Sequence, residues 1–88
     1  MSVERLALEK FGKKNQLIKT IEELGELQSA IARYINNQEI IEYKINLYEE
    51  IADCIIMLEQ MRLAFVDVDY WLDTKRKLLY DKISKGGQ

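Results

Sequence analysis

The sequence predicts an all-α protein with four helices in one domain. Proline is absent and there are only four glycines, so few positions break a helix. Apolar residues recur at spacings of three and four, whereas the alternation typical of strands is not sustained anywhere. A chain of 88 residues has the length of a single domain, which we assign to residues 1–88.

The first two predicted helices are delimited by capping and by periodicity. Ser2 is a suitable N-cap for a helix that ends at Phe11, before the helix-stopping Gly12. The second helix is expected over about Asn15–Ile35. Its apolar residues form a stripe down one face: Leu17, Ile21, Leu24, Leu27, Ile31 and Ile35.

Polar residues separate the remaining helices. The run 36–38, Asn-Asn-Gln, is the clearest turn, and the third helix is expected over Glu39–Phe65. Asp67 is the expected N-cap of a fourth helix over Val68–Ser84. Residues 86–88, Gly-Gly-Gln, are expected to form a frayed end.

The third predicted helix contains an unusual run from Ile51 to Leu58. Seven of these eight residues are apolar, and they cover every side of the helix. Such a helix is either central in its bundle or covered by another chain. Asp53 lies inside the run, where its charge needs either an Arg or Lys partner or a metal ion.

Composition excludes several classes of function. The absence of histidine excludes Ser-His-Asp catalysis and ordinary zinc sites, so any metal ligands are carboxylates that favour Mg²⁺ or Mn²⁺. A net charge of −2 gives no reason to expect direct nucleic-acid binding. A single cysteine, no signal-like N-terminus and no apolar stretch of roughly 20 residues predict a cytoplasmic protein without a membrane partner.

Two pairs of acids have the same spacing. Glu23 and Glu26 are three residues apart on the second predicted helix, and Glu50 and Asp53 are three apart on the third. Like charges at this spacing repel each other on a helix face. If the two helices pack antiparallel, the four carboxylates converge around cations. The alternative is that each pair belongs to a solvated helix face, which is the usual place for a run of acids.

The residues around these acids resemble a known family. Residues 22–27, Glu-Glu-Leu-Gly-Glu-Leu, fit the Glu-Glu-x-x-Glu motif of MazG-like nucleotide pyrophosphohydrolases, and residues 50–53, Glu-Ile-Ala-Asp, fit their Glu-x-x-Asp motif. The segment after Asp53, residues 54–60, and the lead-in from Phe11 to Lys19 are also similar to the family. The resemblance extends over about residues 10–82.

The resemblance implies a four-helix bundle-like protomer that assembles into a homo-dimer or a dimer of dimers. It implies hydrolysis of a nucleoside triphosphate to the monophosphate and pyrophosphate. It also implies Mg²⁺ ligation by four residues: Glu23, Glu26, Glu50 and Asp53. Many members carry Lys, Asn and Arg in the last helix for phosphate binding. Residues 75–82 contain bases but no Asn at a matching place.

In the expected mechanism, a water activated by Mg²⁺ attacks the α-phosphorus. The candidates to orient or deprotonate that water are Glu22, Glu23 and Glu49. The candidates to bind phosphate are Lys19, Arg33, Lys75 and Arg76. Two alternatives remain open: a non-catalytic helical interaction or regulatory protein, and a degenerate family member that binds nucleotide or metal without turnover. An Asp53 that lies alone on a solvated face would weaken the enzyme interpretation.

Overall fold

The computed structural model describes residues 1–86, which form four α-helices and no strand. The helices are α1 (Val3–Phe11), α2 (Lys13–Asn36), α3 (Ile41–Ala64) and α4 (Val68–Ser84). The predicted all-α class is confirmed, and no helix end differs from its predicted position by more than two residues.

Local chemistry accounts for the helix ends. The backbone N–H of Arg5 donates to Ser2 Oγ at 3.0 Å, which confirms the predicted N-cap of α1. Gly12 ends α1 with a φ of 87°, a conformation that glycine adopts without strain, and its N–H donates to the Leu8 carbonyl. Asp67 precedes α4 as predicted, but its side chain makes no capping hydrogen bond. The predicted frayed end lies partly outside the described residues, at 87 and 88.

Helices α2 and α3 form an antiparallel hairpin, against which α1 packs. The buried apolar core of the described residues lies at this hairpin and consists of Ala30, Cys54 and Met57. Three contacts join the two helices in reverse chain order, as antiparallel packing requires. They link Gln16 with Gln60, Glu23 with Cys54, and Arg33 with Asn46.

Helix α4 stands apart from the other three helices. It has no buried residue and forms no packed interface with them within the described residues. Arg62 of α3 links the two helices, because its Nε donates to Asp69 Oδ1 at 2.9 Å. The radius of gyration is 16.1 Å, whereas a compact domain of this length has about 12 Å. The expected bundle is therefore not closed within one chain.

Much apolar surface is left uncovered as a result. The accessible surface is 6928 Å², against about 5,400 Å² for a compact monomer of this mass. The apolar run of α3 buries Cys54 and Met57, while Ile51, Ile55 and Leu58 are exposed. The run is thus not central in a bundle formed by one chain. No helix of the described residues is long and apolar enough to cross a membrane.

Candidate metal centre

Three acidic side chains meet where α2 and α3 pack. Glu23 and Glu26 come from α2, and Glu50 comes from α3. One carboxylate oxygen from each lies within 4.8 Å of the others. Glu23 is buried, Glu50 is half-buried and Glu26 is exposed. The structure therefore brings together three of the four residues that the sequence suggested as metal ligands, and we call these three the carboxylate cluster.

The hairpin core fixes the position of the carboxylate cluster. Cys54 is buried one turn after Glu50, and its Sγ donates to the backbone carbonyl of Glu23 at 3.3 Å. Burial, followed by the nearby charges of Glu23 and Glu50, raises the pKa of the Cys54 thiol. The thiol therefore stays protonated and can donate this bond, which holds α3 against α2 at the level of Glu23.

Two oxygens of the cluster lack a hydrogen-bond partner. Glu23 Oε1 lies 3.3 Å from Lys19 Nζ. The other oxygen, Glu23 Oε2, is buried and has no partner among the described residues, and the same is true of Glu50 Oε2. A buried carboxylate oxygen without a donor is costly, since it has lost its water. The two oxygens are suitable ligands for a cation.

The electrostatics of Glu50 also indicate that the carboxylate cluster needs a cation. Burial raises the pKa of Glu50, and the charges of Glu26, Glu23, Asp53 and Glu49 raise it further. The ionised cluster is thus unfavourable by itself, and a bound cation would relieve the repulsion.

Asp53 lies outside the carboxylate cluster and is exposed. Its apolar neighbours do not bury it within a single chain, because Ile55 and Ile56 are themselves exposed. Asp53 does not stand alone, however. It follows Glu50 by one turn of α3 and is close enough to raise the pKa of Glu50.

An open groove of about 520 Å³ adjoins the cluster. It is lined by Glu22, Gly25, Glu26, Ser29, Arg33 and Glu50. Of the residues suggested for catalysis or phosphate binding, Glu22 and Arg33 thus share a groove with Glu26 and Glu50. Arg33 is held there by a hydrogen bond that its Nη2 donates to Asn46 Oδ1 at 2.7 Å. Lys19 also reaches the cluster, through its contact with Glu23.

Other predicted residues are not brought to the cluster. Lys75 and Arg76 lie on α4, which forms no packed interface with α2 or α3 among residues 1–86, and Lys75 lines a separate depression on α4 itself. Glu49 is exposed and does not line the groove. Within one chain, the basic part of the expected site is therefore limited to Lys19 and Arg33.

Sequence reasoning missed two contributors to this region. Ser29 lines the groove, and its spacing from Glu22, Glu26 and Arg33 on one helical face is a signal that was available. Asn46 orients Arg33 from the other helix, which no local pattern indicates.

Fold and site together define an all-helical protein with a carboxylate cluster across an antiparallel helix pair. No protein-family model, curated protein or solved structure matches the chain.

Proposed function

We propose that this protein is a Mg²⁺-dependent nucleoside triphosphate pyrophosphohydrolase, for which Mn²⁺ is an alternative ion. The observation that supports this proposal most is the pair of buried, unpartnered oxygens, Glu23 Oε2 and Glu50 Oε2. A donor set made only of carboxylates suits small, hard divalent ions.

An ordinary salt bridge does not account for the cluster. Lys19 is placed to neutralise one carboxylate, that of Glu23. Three carboxylates with one lysine leave an excess of negative charge, and the half-buried Glu50 has no basic partner within ion-pair distance among residues 1–86. A divalent cation offsets this excess and offers ligand positions to both unpartnered oxygens.

The nucleotide substrate is supported by the charge of the groove and by the motifs around the acids. Glu23, Glu26 and Glu50 would hold a Mg²⁺ ion, which would offset the negative charge of the phosphates and lower the pKa of a water. Arg33 offers a positive charge to phosphate oxygens further along the groove. The paired motifs at 22–26 and 50–53 resemble those of enzymes that release pyrophosphate.

Glu22 is the best placed base among the candidates, because it lines the same groove as Glu26 and Glu50. In the proposed reaction, a water oxygen bonds to the α-phosphorus and passes a proton to Glu22. The bond from the α-phosphorus to the bridging oxygen breaks, and pyrophosphate leaves with that electron pair.

We also propose that the active form is a homo-dimer or a dimer of dimers. The accessible surface of 6928 Å² exceeds that of a compact monomer by more than the roughly 800 Å² that each partner buries in a typical stable interface. A second copy would cover the exposed apolar faces of α3 and α4 and supply neighbours for Asp53. Light scattering at micromolar concentration tests this, and a monomeric mass would contradict it.

The function is tested by calorimetry with Mg²⁺ and Mn²⁺ and by pyrophosphate release from a panel of canonical and modified nucleoside triphosphates. Glu23→Gln and Glu50→Gln are expected to weaken metal binding by at least about 100-fold and to abolish release. The exposed Glu42 of α3 provides a matched control, Glu42→Gln, which should retain both properties.

The outcomes separate the proposed enzyme from its alternatives. A folded protein that binds neither ion would contradict the proposal and leave a helical interaction or regulatory protein, for which the exposed apolar face of α4 is a suitable surface. Metal binding without pyrophosphate release from any member of the panel would instead indicate a protein that binds nucleotide or metal without turnover.

A further inference from the structure

Gly25 occupies a position in α2 where the chain itself does not need glycine. Its backbone is ordinary helix, unlike Gly12 and Gly86, whose φ angles are positive. A Cβ built at Gly25 would meet no atom of residues 1–86 within 4 Å. Glycine nevertheless weakens a helix interior relative to alanine. Whatever benefits from a bare backbone at Gly25 therefore lies outside this chain.

The chemistry of the groove favours a ligand over a second helix at this position. The groove beside Gly25 is lined by Ser29 and by four charged residues, Glu22, Glu26, Arg33 and Glu50. A helix laid across them would remove these charges from water without offering partners, which is unfavourable. A ligand that carries its own phosphates and cations matches the same charges.

The buried Glu23 gives an independent indication that a ligand enters here. Its side chain is 9% exposed, and its Oε2 has no hydrogen-bond partner among the described residues. That carboxylate belongs to the cluster with Glu26 and Glu50, both of which also line the groove. The cation end of the ligand is thereby fixed at the cluster.

Arg33 marks the other end of the groove. It lies seven residues after Glu26, or about 10 Å further along α2. Its neutral partner, Asn46, holds the guanidinium in place, and within residues 1–86 no carboxylate forms an ion pair with it. Arg33 therefore keeps its full charge for an anionic group of the ligand.

We propose that Gly25 is a specificity-determining residue, an inference that rests on the function proposed above. The phosphates extend from the carboxylate cluster toward Arg33, and the sugar or base of the nucleotide lies against the bare backbone at Gly25. Glu22 and Ser29, one turn away on either side, offer hydrogen-bonding groups to that uncharged part. Any side chain at position 25 would fill the space that the nucleoside occupies.

The test compares three probes on the full chain: Mn²⁺ alone, inorganic tripolyphosphate with Mn²⁺, and α,β-methylene nucleoside triphosphates with Mn²⁺. The variants are Gly25→Ala and Gly25→Leu. Ala32→Leu is the matched control, because Ala32 is exposed on α2 but does not line the groove. Calorimetry gives the three affinities, and thermal unfolding with light scattering monitors fold and mass.

Gly25→Leu should weaken binding of the methylene nucleotides by about 10-fold or more, with the affinities for Mn²⁺ and tripolyphosphate unchanged. Gly25→Ala should give a smaller loss together with a higher Tm, and Ala32→Leu should bind like the unmodified protein. If Gly25→Leu keeps the unmodified protein's preference for the methylene nucleotides over tripolyphosphate, the inference is overturned. Equal weakening of both phosphate probes, or a changed oligomeric mass, would also overturn it.

Failure of the proposed function would look different. If the unmodified protein binds neither Mn²⁺ nor tripolyphosphate, the metal centre itself is refuted and the role of Gly25 falls with it. If the unmodified protein binds both and prefers nucleotide, only the behaviour of the Gly25 variants decides this inference.

Discussion

The α2–α3 hairpin and helix α4 are equally helical but differ in what holds them. The hairpin buries Ala30, Cys54 and Met57 and places a buried hydrogen bond, Gln16 to Gln60, between its two helices. Helix α4 buries nothing within the described residues. Helix α4 has the local sequence pattern of a helix, whereas a fixed position relative to the other helices requires side chains that meet across an interface.

The largest effect is expected in the hairpin core. Met57 is 6% exposed, so Met57→Ala removes a buried side chain and leaves a cavity. The free energy of unfolding should fall by roughly 2–5 kcal/mol, as measured by urea denaturation. A loss below about 0.5 kcal/mol would mean that Met57 behaves like a surface residue. The hairpin and α4 would then not differ in how strongly packing holds them.

The buried amide pair comes next. Gln16 Nε2 donates to Gln60 Oε1 at 2.8 Å, and Gln60 is 2% exposed. Gln60→Leu keeps most of the volume but leaves the Gln16 amide without its acceptor, so the expected cost is about 1–3 kcal/mol. The double variant Gln16→Leu/Gln60→Leu, measured in the same urea series, should regain much of that loss. A double variant as unstable as the single one would show that packing, not the hydrogen bond, matters here.

A smaller, pH-dependent effect is expected at Glu50. Its pKa is raised in the folded protein, mainly by burial and then by Glu26 and Glu23. Protonated Glu50 therefore stabilises the fold below the unfolded pKa, and that contribution is lost as the pH rises through the raised folded value. In EDTA, the Tm should fall across this window, and Glu50→Gln should raise the Tm at neutral pH and flatten the profile. If the Tm–pH profiles of Glu50→Gln and the unmodified protein superimpose, the raised pKa of Glu50 is contradicted.

The smallest effect is expected in α4. Leu78 is 56% exposed, so Leu78→Ala should change the free energy of unfolding by no more than about 0.5 kcal/mol at dilutions where light scattering shows a monomer. At concentrations that support an oligomer, the same substitution should cost more and lower the mass. A large cost in the dilute monomer would mean that α4 packs against its own chain.

The helices themselves were predictable, because their signals are local. Ser2 caps α1 as its sequence position indicates, and α4 was predicted with the bounds that the structure shows. The meeting of Glu23 and Glu26 with Glu50 also followed from their spacing and an antiparallel turn. The exposure of Asp53 did not follow from the sequence, because an apolar run does not specify whether its cover comes from the same chain.

The place of α4 could not be predicted for the same physical reason. Its amphipathic pattern defines a helix with one apolar face but does not say what covers that face. The Arg62–Asp69 contact that links α4 to α3 is an exposed ion pair of modest strength. The orientation of Arg33 by Asn46 depends on the register between α2 and α3. Such register follows from packing, which single-sequence patterns do not contain.

The hydrogen bond from Cys54 to the Glu23 carbonyl restricts which mutations this protein can accept during evolution. In many proteins, binding residues lie on loops and can vary while the scaffold is preserved. Here the α2–α3 interface contains both the binding residues and the core of the scaffold. A mutation that repacks Cys54 therefore also displaces a carboxylate of the cluster. Selection acts on fold and chemistry as a single trait in α2 and α3, and most tolerated variation is expected in α4 and in the connecting turns.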